Sequence, residues 1–180
     1  MTRLAIPDRN AVDAAAQPLL DAVEQQLGIV PNLYRLLALS PAVLEGTLAL
    51  SQALNKTFEV KTRERIALAV AQANGCDYCL SAHAYLAKNV ANIDDAEIAA
   101  ARQGRSADAR ANAALSFTKA LVETRGHVAD SDIAAVKLAG FTDKEIVEIV
   151  ANVALNVLTN FAGVVAETDI DFPVVRAEAA

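Results

Sequence analysis

Apolar residues recur along almost the whole chain with the spacing of amphipathic helices. Segments such as 107–125 repeat apolar side chains every three or four residues, which is the period of one helix face. Glycines such as Gly75 and Gly126 follow these segments, at positions where glycine commonly ends a helix. No run of β-branched residues stands between turn signals. We therefore predict an all-α fold of about eight helices.

Helix-start signals and chain length indicate how the helices are organised. Thr142 and Glu145 have the spacing of a capping box, which predicts the start of the last helix. A helix is also expected to start at Cys76 or Asp77. The chain has 180 residues and no low-complexity linker, so we predict a single domain over 1–180 with an extended tail from about 169.

Charge and hydropathy limit the kinds of partner. The net charge is −6, and no lysine- and arginine-rich run is present to follow phosphates, so nucleic-acid binding is not expected. No stretch was expected to reach the roughly 20 apolar residues that span a bilayer. The first ten residues lack the features of a signal peptide. A cytoplasmic protein without a membrane partner is the expectation.

Both cysteines lie within the segment NGCDYCLSAH, residues 74–83. Three explanations are open: a structural disulfide, part of a metal site, or a thiol–disulfide active site. A structural disulfide is disfavoured in a reducing cytoplasm, and a bridge across so short a loop removes little chain entropy.

A helix that begins near Cys76 brings the thiols and one imidazole onto the same face. At 100° per residue, Cys76, Cys79 and His83 fall within an arc of about 60°. Residues three apart have Cβ atoms about 5–6 Å apart, which permits a disulfide after small adjustments. The helix N-terminus favours the thiolate form, which is the nucleophile.

The preceding helix contains a carboxylate on an apolar stripe. Glu64 shares its helix face with Ala67, Leu68 and Ala71. Burying a carboxylate there is costly unless it is paired or accepts a proton. Glu64 can also be explained as a first-turn glutamate that complements the helix dipole.

The spacing Glu64–x11–Cys76–x2–Cys79–x3–His83 resembles the signature of the AhpD-like alkylhydroperoxidases of the carboxymuconolactone decarboxylase superfamily. The resemblance includes the segments LGIVPNLYRLLALSPAVLEG, RERIALAVAQANGCDYCLSAH and DFP, and the last is similar to the peroxidase-related branch. It implies an AhpD-like helical domain with the CxxC motif at the N-terminus of a central helix. It also implies a homo-oligomer: a dimer, trimer or hexamer.

The same resemblance implies a thiol peroxidase that needs neither a cofactor nor a metal. In this family Cys79 would be peroxidatic and Cys76 resolving, with Glu64 and His83 as the proton relay. Tyr78 stands where many members have another histidine, so it is a further candidate for the relay. The implied partners are a hydroperoxide substrate and a dithiol reductant of the thioredoxin-like or lipoyl type.

Helix geometry indicates the order of the relay. If the two helices form an antiparallel hairpin that turns at Gly75, Glu64 lies closer to the level of His83 than to the cysteines. We therefore predict a relay from Glu64 through His83 to Cys79. The helix dipole by itself would favour Cys76 as the reactive thiolate; Cys79 has His83 at i+4 as a local proton acceptor.

Other functions remain open at this point. A zinc site would need a fourth ligand besides Cys76, Cys79 and His83, and the only other histidine is His127. The same thiols would also serve a non-catalytic redox sensor or adaptor. A lactone decarboxylase of the same superfamily would leave the CxxC pair unexplained. A thioredoxin-like fold is excluded because no sheet is predicted.

Overall fold

The computed structural model describes residues 2–178, and within them the chain forms nine α-helices and no strand. The all-α prediction is confirmed, with one helix more than the approximate count. The helices are α1 (Gln17–Leu27), α2 (Asn32–Leu37), α3 (Pro41–Leu54), α4 (Val60–Ala73), α5 (Asp77–Asn89), α6 (Asp95–Arg102), α7 (Ala109–Thr124), α8 (Asp130–Leu138) and α9 (Asp143–Ala166).

Helix α4 is the centre of the main core. It packs against α5, α6, α7 and α9, and all residues from 66 to 71 are buried. Such a helix must be apolar on every side, and the sequence IALAVA meets this requirement with small and branched side chains. The alanines allow neighbouring helices to approach closely, so α4 provides a rigid support for the side chains at its ends.

The last helix starts where its capping signal predicts. The Thr142 N–H donates to Glu145 Oε2 at 2.8 Å, and the Glu145 N–H donates to Thr142 Oγ1 at 3.2 Å. These reciprocal bonds satisfy backbone donors that an uncapped helix leaves open. The capping N–H of Thr142 and the Arg110 guanidinium also lower the pKa of the Glu145 carboxyl.

The same helix corrects one expectation. By length and composition alone, α9 could cross a membrane, although the sequence was expected to contain no such stretch. Asn152, Asn156 and Asn160 interrupt the apolar residues of α9, but the mean hydropathy of the helix is still high enough for a membrane span. All three asparagines are buried inside the protein, and Asn156 Nδ2 donates to the Asn152 carbonyl at 2.9 Å. The core helix of a soluble protein has this same composition.

Residues 168–178, which we call the C-terminal strap, cross the N-terminal turn of α5. The Val175 N–H donates to Ser81 Oγ at 2.9 Å, and the Ala177 N–H donates to Asp77 Oδ1 at 2.8 Å. Arg176 Nη1 lies 2.7 Å from the other oxygen of Asp77. The first turn of α5 therefore holds both the cysteine motif and the strap.

Docking of the strap is expected to weaken in acid, because Asp77 must be ionised. Burial opposes ionisation, but the Ala177 N–H and the Arg176 guanidinium lower the pKa of Asp77 below its usual range. A lowered folded-state pKa gives stability that is complete above about pH 4 and is lost as the pH falls through the lower value. We expect Asp77→Asn to increase amide exchange of residues 174–177 at neutral pH, as acid does in the unmodified chain.

The matched control for this prediction is Asp95→Asn. Asp95 pairs with Lys88 on the surface and does not contact the strap. Exchange of residues 174–177 should be the same in this variant as in the unmodified chain. If Asp77→Asn also left that exchange unchanged, the strap would not depend on the Asp77 carboxylate.

Candidate functional site

The turn between α4 and α5 brings two helices into an antiparallel pair. Gly75 has φ +64°, a left-handed conformation that glycine adopts without strain. The Cys76 N–H then donates to the Ala71 carbonyl at 3.0 Å, and α5 begins at the next residue. Because the chain reverses at this turn, α4 and α5 run antiparallel. Glu64 of α4 therefore lies opposite His83 of α5.

The two cysteines form a disulfide at the start of α5, with Cα atoms 5.3 Å apart. Cys76 is the N-cap residue, and its Sγ accepts a hydrogen bond from the Cys79 N–H at 3.2 Å. A backbone donor and the positive end of the helix dipole both favour negative charge on that sulfur. Once the disulfide is reduced, Cys76 is therefore the thiol that the helix start stabilises as a thiolate.

Glu64 and His83 form a pair next to the cysteines. Glu64 Oε2 lies 2.9 Å from His83 Nδ1, and both side chains are mostly buried. A carboxylate at Nδ1 keeps the ring proton on that nitrogen, so Nε2 is the nitrogen that can accept a proton. The Glu64 carboxylate, which lies on an apolar stripe of α4, is therefore paired with His83 of α5.

A cavity of about 510 Å³ opens above Cys79, Glu64 and His83. Its walls come from the end of α1, the α1–α2 connection, α2, α3, α4, α5, α9 and the C-terminal strap. Most of the lining is apolar, including Leu27, Ile29, Leu54, Leu86, Leu155, Phe172 and Pro173. The reactive groups therefore lie in an apolar space that is large enough for an organic molecule. We call this space the apolar cavity.

Tyr78, the further candidate for the relay, also lines the apolar cavity. Its phenol oxygen accepts a hydrogen bond from the Leu33 N–H at 3.1 Å, and its ring meets Phe172 edge to face at 6.0 Å. Burial, together with the charge of Asp171, raises the pKa of Tyr78 above its usual range. The phenol therefore stays protonated. Tyr78 of α5 contacts α2 through the hydrogen bond from Leu33 and the strap through the ring of Phe172.

Removing the Tyr78 hydroxyl should affect stability more than chemistry. We expect Tyr78→Phe to cost about 1 kcal/mol of folding free energy, because the Leu33 N–H loses its acceptor. The kcat/KM for any thiol-dependent reaction should stay within about threefold, well below the effect of losing a general acid or base. Denaturant unfolding and steady-state kinetics measure the two effects. A loss of about 100-fold or more in a stable variant would instead place Tyr78 in the relay.

One residue in the cavity was not singled out from the sequence. Tyr34, at the middle of α2, lines the apolar cavity, and burial together with the charge of Glu64 raises the pKa of its phenol. No local pattern distinguishes Tyr34, because it reaches the site only through the packing of α2 against α9.

A zinc site, which the sequence left open, depends on a fourth ligand beside the cysteine motif. Within residues 2–178, no group of three or more His, Cys, Asp and Glu side chains is arranged to hold an ion. In that part of the chain, His127 therefore does not join Cys76, Cys79 and His83 as the fourth ligand that a zinc site would need.

Comparisons with known proteins find a similar family and a similar fold. Residues 41–123 match the model of the carboxymuconolactone decarboxylase family, a range that includes Glu64, both cysteines and His83. A search of curated proteins finds no significant match to the chain.

Solved structures share the fold over nearly the whole chain. The alkylhydroperoxidase AhpD core of an uncharacterized peroxidase-related protein from Ralstonia eutropha JMP134 has a TM-score of 0.83 at 23% identity, covering 94% of this chain and 92% of that one. An uncharacterized peroxidase-related protein from Silicibacter sp. TM1040 has a TM-score of 0.80 at 22% identity, covering 93% and 91%.

A third similar structure is a debrominase. The debrominase Bmp8, as a cysteine-to-alanine variant in complex with 2,3,4-tribromopyrrole, has a TM-score of 0.74 at 20% identity, covering 88% of this chain and 86% of that one. At these identities the likeness establishes the helical architecture.

Proposed function

Residues 41–123 match the carboxymuconolactone decarboxylase family and the fold is AhpD-like, and on that premise we propose that this chain is a member of that superfamily and a thiol-dependent peroxidase. The observation that carries the proposal is the pair of Glu64 and His83, joined at 2.9 Å beside Cys79 on the wall of one cavity. A redox-active dithiol needs a proton acceptor and a space for its oxidant, and this site combines the two.

The first step oxidises Cys79. His83, oriented by Glu64, accepts the Cys79 proton, and the thiolate attacks the terminal oxygen of the hydroperoxide. The O–O bond breaks, the alkoxide takes a proton and leaves as an alcohol, and Cys79 becomes a sulfenic acid. His83, which has just accepted the Cys79 proton, supplies the proton for the alkoxide from the wall of the same cavity.

The second step forms the disulfide. The Cys76 thiolate, stabilised by the Cys79 N–H, attacks the Cys79 sulfur, and hydroxide leaves with a proton as water. A dithiol then supplies two electrons and returns both cysteines to the thiol form. The proposal needs no metal or organic cofactor, and it places the protein in a reducing compartment such as the cytoplasm.

The size of the apolar cavity favours an organic substrate. Cavities of 300–1,000 Å³ enclose drug-sized ligands, whereas hydrogen peroxide would fill only a small part of 510 Å³ and has no apolar surface to bury against the apolar part of the lining. We therefore propose an organic hydroperoxide with an apolar, partly aromatic body.

A homo-oligomer forms part of the proposal. Eight of the 24 residues of helix α9 are buried, and the helix also exposes large apolar side chains; they are Val147, Val150, Leu158, Phe161, Val164 and Val165. Exposed apolar surfaces of this kind are typical of protein–protein contacts. A dimer, trimer or hexamer would cover them.

A second candidate reaction uses the same residues. The fold is similar to that of the debrominase Bmp8 bound to a tribrominated pyrrole, and the apolar cavity has room for a flat ring of that size. The Cys79 thiolate would attack bromine, the C–Br bond would break with its electron pair left on the ring carbon, and that carbon would take a proton from protonated His83. The Cys76 thiolate would then attack the resulting sulfenyl bromide, form the disulfide and release bromide, and a dithiol would return both cysteines to thiols.

Steady-state turnover tests the proposed function. The reduced protein is supplied with dithiothreitol and with cumene hydroperoxide, hydrogen peroxide or tribromopyrrole in parallel. We expect sustained alcohol formation, with kcat/KM at least about tenfold higher for cumene hydroperoxide than for hydrogen peroxide, because only the former buries apolar surface in the cavity. Oxidation that stops after one equivalent would identify a redox sensor, and bromide release alone would identify a dehalogenase.

A further inference from the structure

Three polar side chains line the apolar cavity although they are almost fully buried. Thr47 of α3 is 5% exposed, and Asn152 and Asn156 of α9 are 4% and 8% exposed. Helices α3 and α9 pack against each other. We call these three residues the acceptor wall of the cavity.

The hydrogen-bond donors of the acceptor wall are used within their own helices. Thr47 Oγ1 donates to the Val43 carbonyl at 2.7 Å. Asn152 Nδ2 donates to the Glu148 carbonyl at 2.8 Å, and Asn156 Nδ2 donates to the Asn152 carbonyl at 2.9 Å. Because a carbonyl can only accept, each amide must turn its nitrogen towards that carbonyl and its oxygen away from it. The wall therefore presents acceptors to the cavity.

The two amide oxygens of the acceptor wall have no partner in the described part of the chain. Among residues 2–178, no donor bonds to Oδ1 of Asn152 or of Asn156, yet each oxygen keeps accessible surface. Because both side chains are more than nine-tenths buried and line the cavity, this surface opens into the cavity. An unpaired acceptor lowers stability, and leucine would suit a core helix better than asparagine. A donor on a bound molecule would give these oxygens the partner that they lack.

The asparagines of the acceptor wall lie on the face of α9 that contacts the cysteines. A Cβ atom on Gly163 would lie 3.7 Å from Cys79 Sγ. Asn156 and Asn152 precede Gly163 by seven and eleven residues, which is about 10 Å and about 16 Å along the helix axis, and both fall within about 20° of its direction. A molecule that reaches Cys79 and the wall together therefore has an extended body, with its reactive group and its donor at opposite ends.

The geometry points to the class of substrate: we infer that the cavity binds an organic hydroperoxide with a neutral N–H or O–H group at the end remote from its O–O bond. That group donates to the acceptor wall, and the rest of the body packs on the apolar lining. The group is neutral, because a buried ammonium would need a carboxylate beside it and the wall offers only uncharged oxygens. This inference rests on the proposed function, since it names the substrate class of the same site. It makes Thr47, Asn152 and Asn156 specificity-determining residues.

The first test measures binding of two unreactive ligands to the oxidised protein, in which the disulfide is closed. Indole and benzofuran have the same two-ring shape, but only indole carries an N–H group. The chain contains no tryptophan, so the emission of indole itself reports its binding, and benzofuran is measured by displacing indole. The quantity compared between variants is the Kd of benzofuran divided by the Kd of indole. This comparison cancels the difference in hydrophobicity between the two ligands.

Removing the acceptors should abolish the preference for the donor. Thr47→Val, Asn152→Leu and Asn156→Leu are made singly and combined, because each keeps the approximate shape of the side chain. We expect the ratio of Kd values to fall by about fivefold or more in the combined variant, since indole loses its acceptor there. The single variants show which oxygen accepts. A ratio that stays within twofold of the unmodified chain in every folded variant overturns the inference.

The matched control is Asn89→Leu. Asn89 Nδ2 also donates to the carbonyl four residues earlier, that of Tyr85, at 2.8 Å. Asn89 is exposed on α5 and does not line the apolar cavity. The ratio of Kd values should therefore stay within twofold of that of the unmodified chain.

Thermal unfolding separates a ligand-binding role of the asparagines from a structural role. If Asn156 serves a ligand, Asn156→Leu should leave Tm unchanged or raise it, because the variant removes an unpaired acceptor from the core. A lower Tm together with an unchanged ratio of Kd values would show a structural role and overturn the inference. Since neither measurement contains a hydroperoxide, both keep their meaning if the peroxidase proposal fails.

Discussion

Replacing Cys79 with serine is expected to abolish hydroperoxide reduction, lowering kcat/KM by about 10³-fold or more, as the loss of a nucleophile does in other enzymes. Serine keeps the size of the side chain but not the acidity of the thiol, so no nucleophile faces the Glu64–His83 pair. The fold should survive, because the disulfide closes only a short loop and contributes little chain entropy. Alcohol formation from cumene hydroperoxide measures the effect.

The matched variant is Cys76→Ser, in which the proposed roles predict a different result. This protein should still consume one equivalent of hydroperoxide, and the sulfenic acid should be trapped on Cys79 because no thiol can resolve it. Sustained turnover should be lost. If sulfenic acid were trapped only in chains that retain Cys76, the roles of the two cysteines would be reversed.

Neutralising the Glu64 carboxylate is expected to have the second largest effect on kcat/KM. Glu64→Gln should lower kcat/KM by about 100-fold, and His83→Asn by about 10²–10⁴-fold, the usual range for a general acid–base group. The glutamine keeps a hydrogen-bond acceptor for Nδ1 but loses the charge that stabilises the imidazolium. The two side chains act as one unit, so the double variant should lose little more than His83→Asn alone.

The dependence of kcat/KM on pH distinguishes a role of Glu64 in proton transfer from a purely structural role. If Glu64 acts through His83, the dependence of kcat/KM on pH should change in Glu64→Gln while the thermal stability stays close to that of the unmodified chain. Glu123→Gln is the control, because Glu123 pairs with Lys119 on the surface of α7 and, among residues 2–178, lines no part of the apolar cavity. A Glu64→Gln variant that keeps more than a third of the activity would remove the carboxylate from the relay.

Much of the fold could be predicted because its helices have local start and stop signals. The capping box of Thr142 and Glu145 fixes the start of α9, and the left-handed glycine Gly75 fixes the turn before α5. These signals act within a few residues, so they can be recognised without tertiary structure. The proximity of Glu64 and His83 also follows from local geometry, since one tight turn joins their helices.

The rest of the site depends on contacts between residues distant in sequence. Tyr34 reaches the apolar cavity through the packing of α2 against α9. The strap was expected only as an extended tail, and its docking depends on the pair of Asp77 and Arg176, 99 residues apart. No periodicity or spacing encodes such contacts.

A single-turnover experiment tests the peroxidase proposal most directly. Fully reduced protein is mixed with one equivalent of cumene hydroperoxide, and cumyl alcohol and the Cys76–Cys79 disulfide are both followed in time. We predict one alcohol and one disulfide for each chain, forming at least about 100-fold faster than alcohol forms in Cys79→Ser. Alcohol formation no faster than in that variant, or alcohol formed without the disulfide, would contradict the proposal.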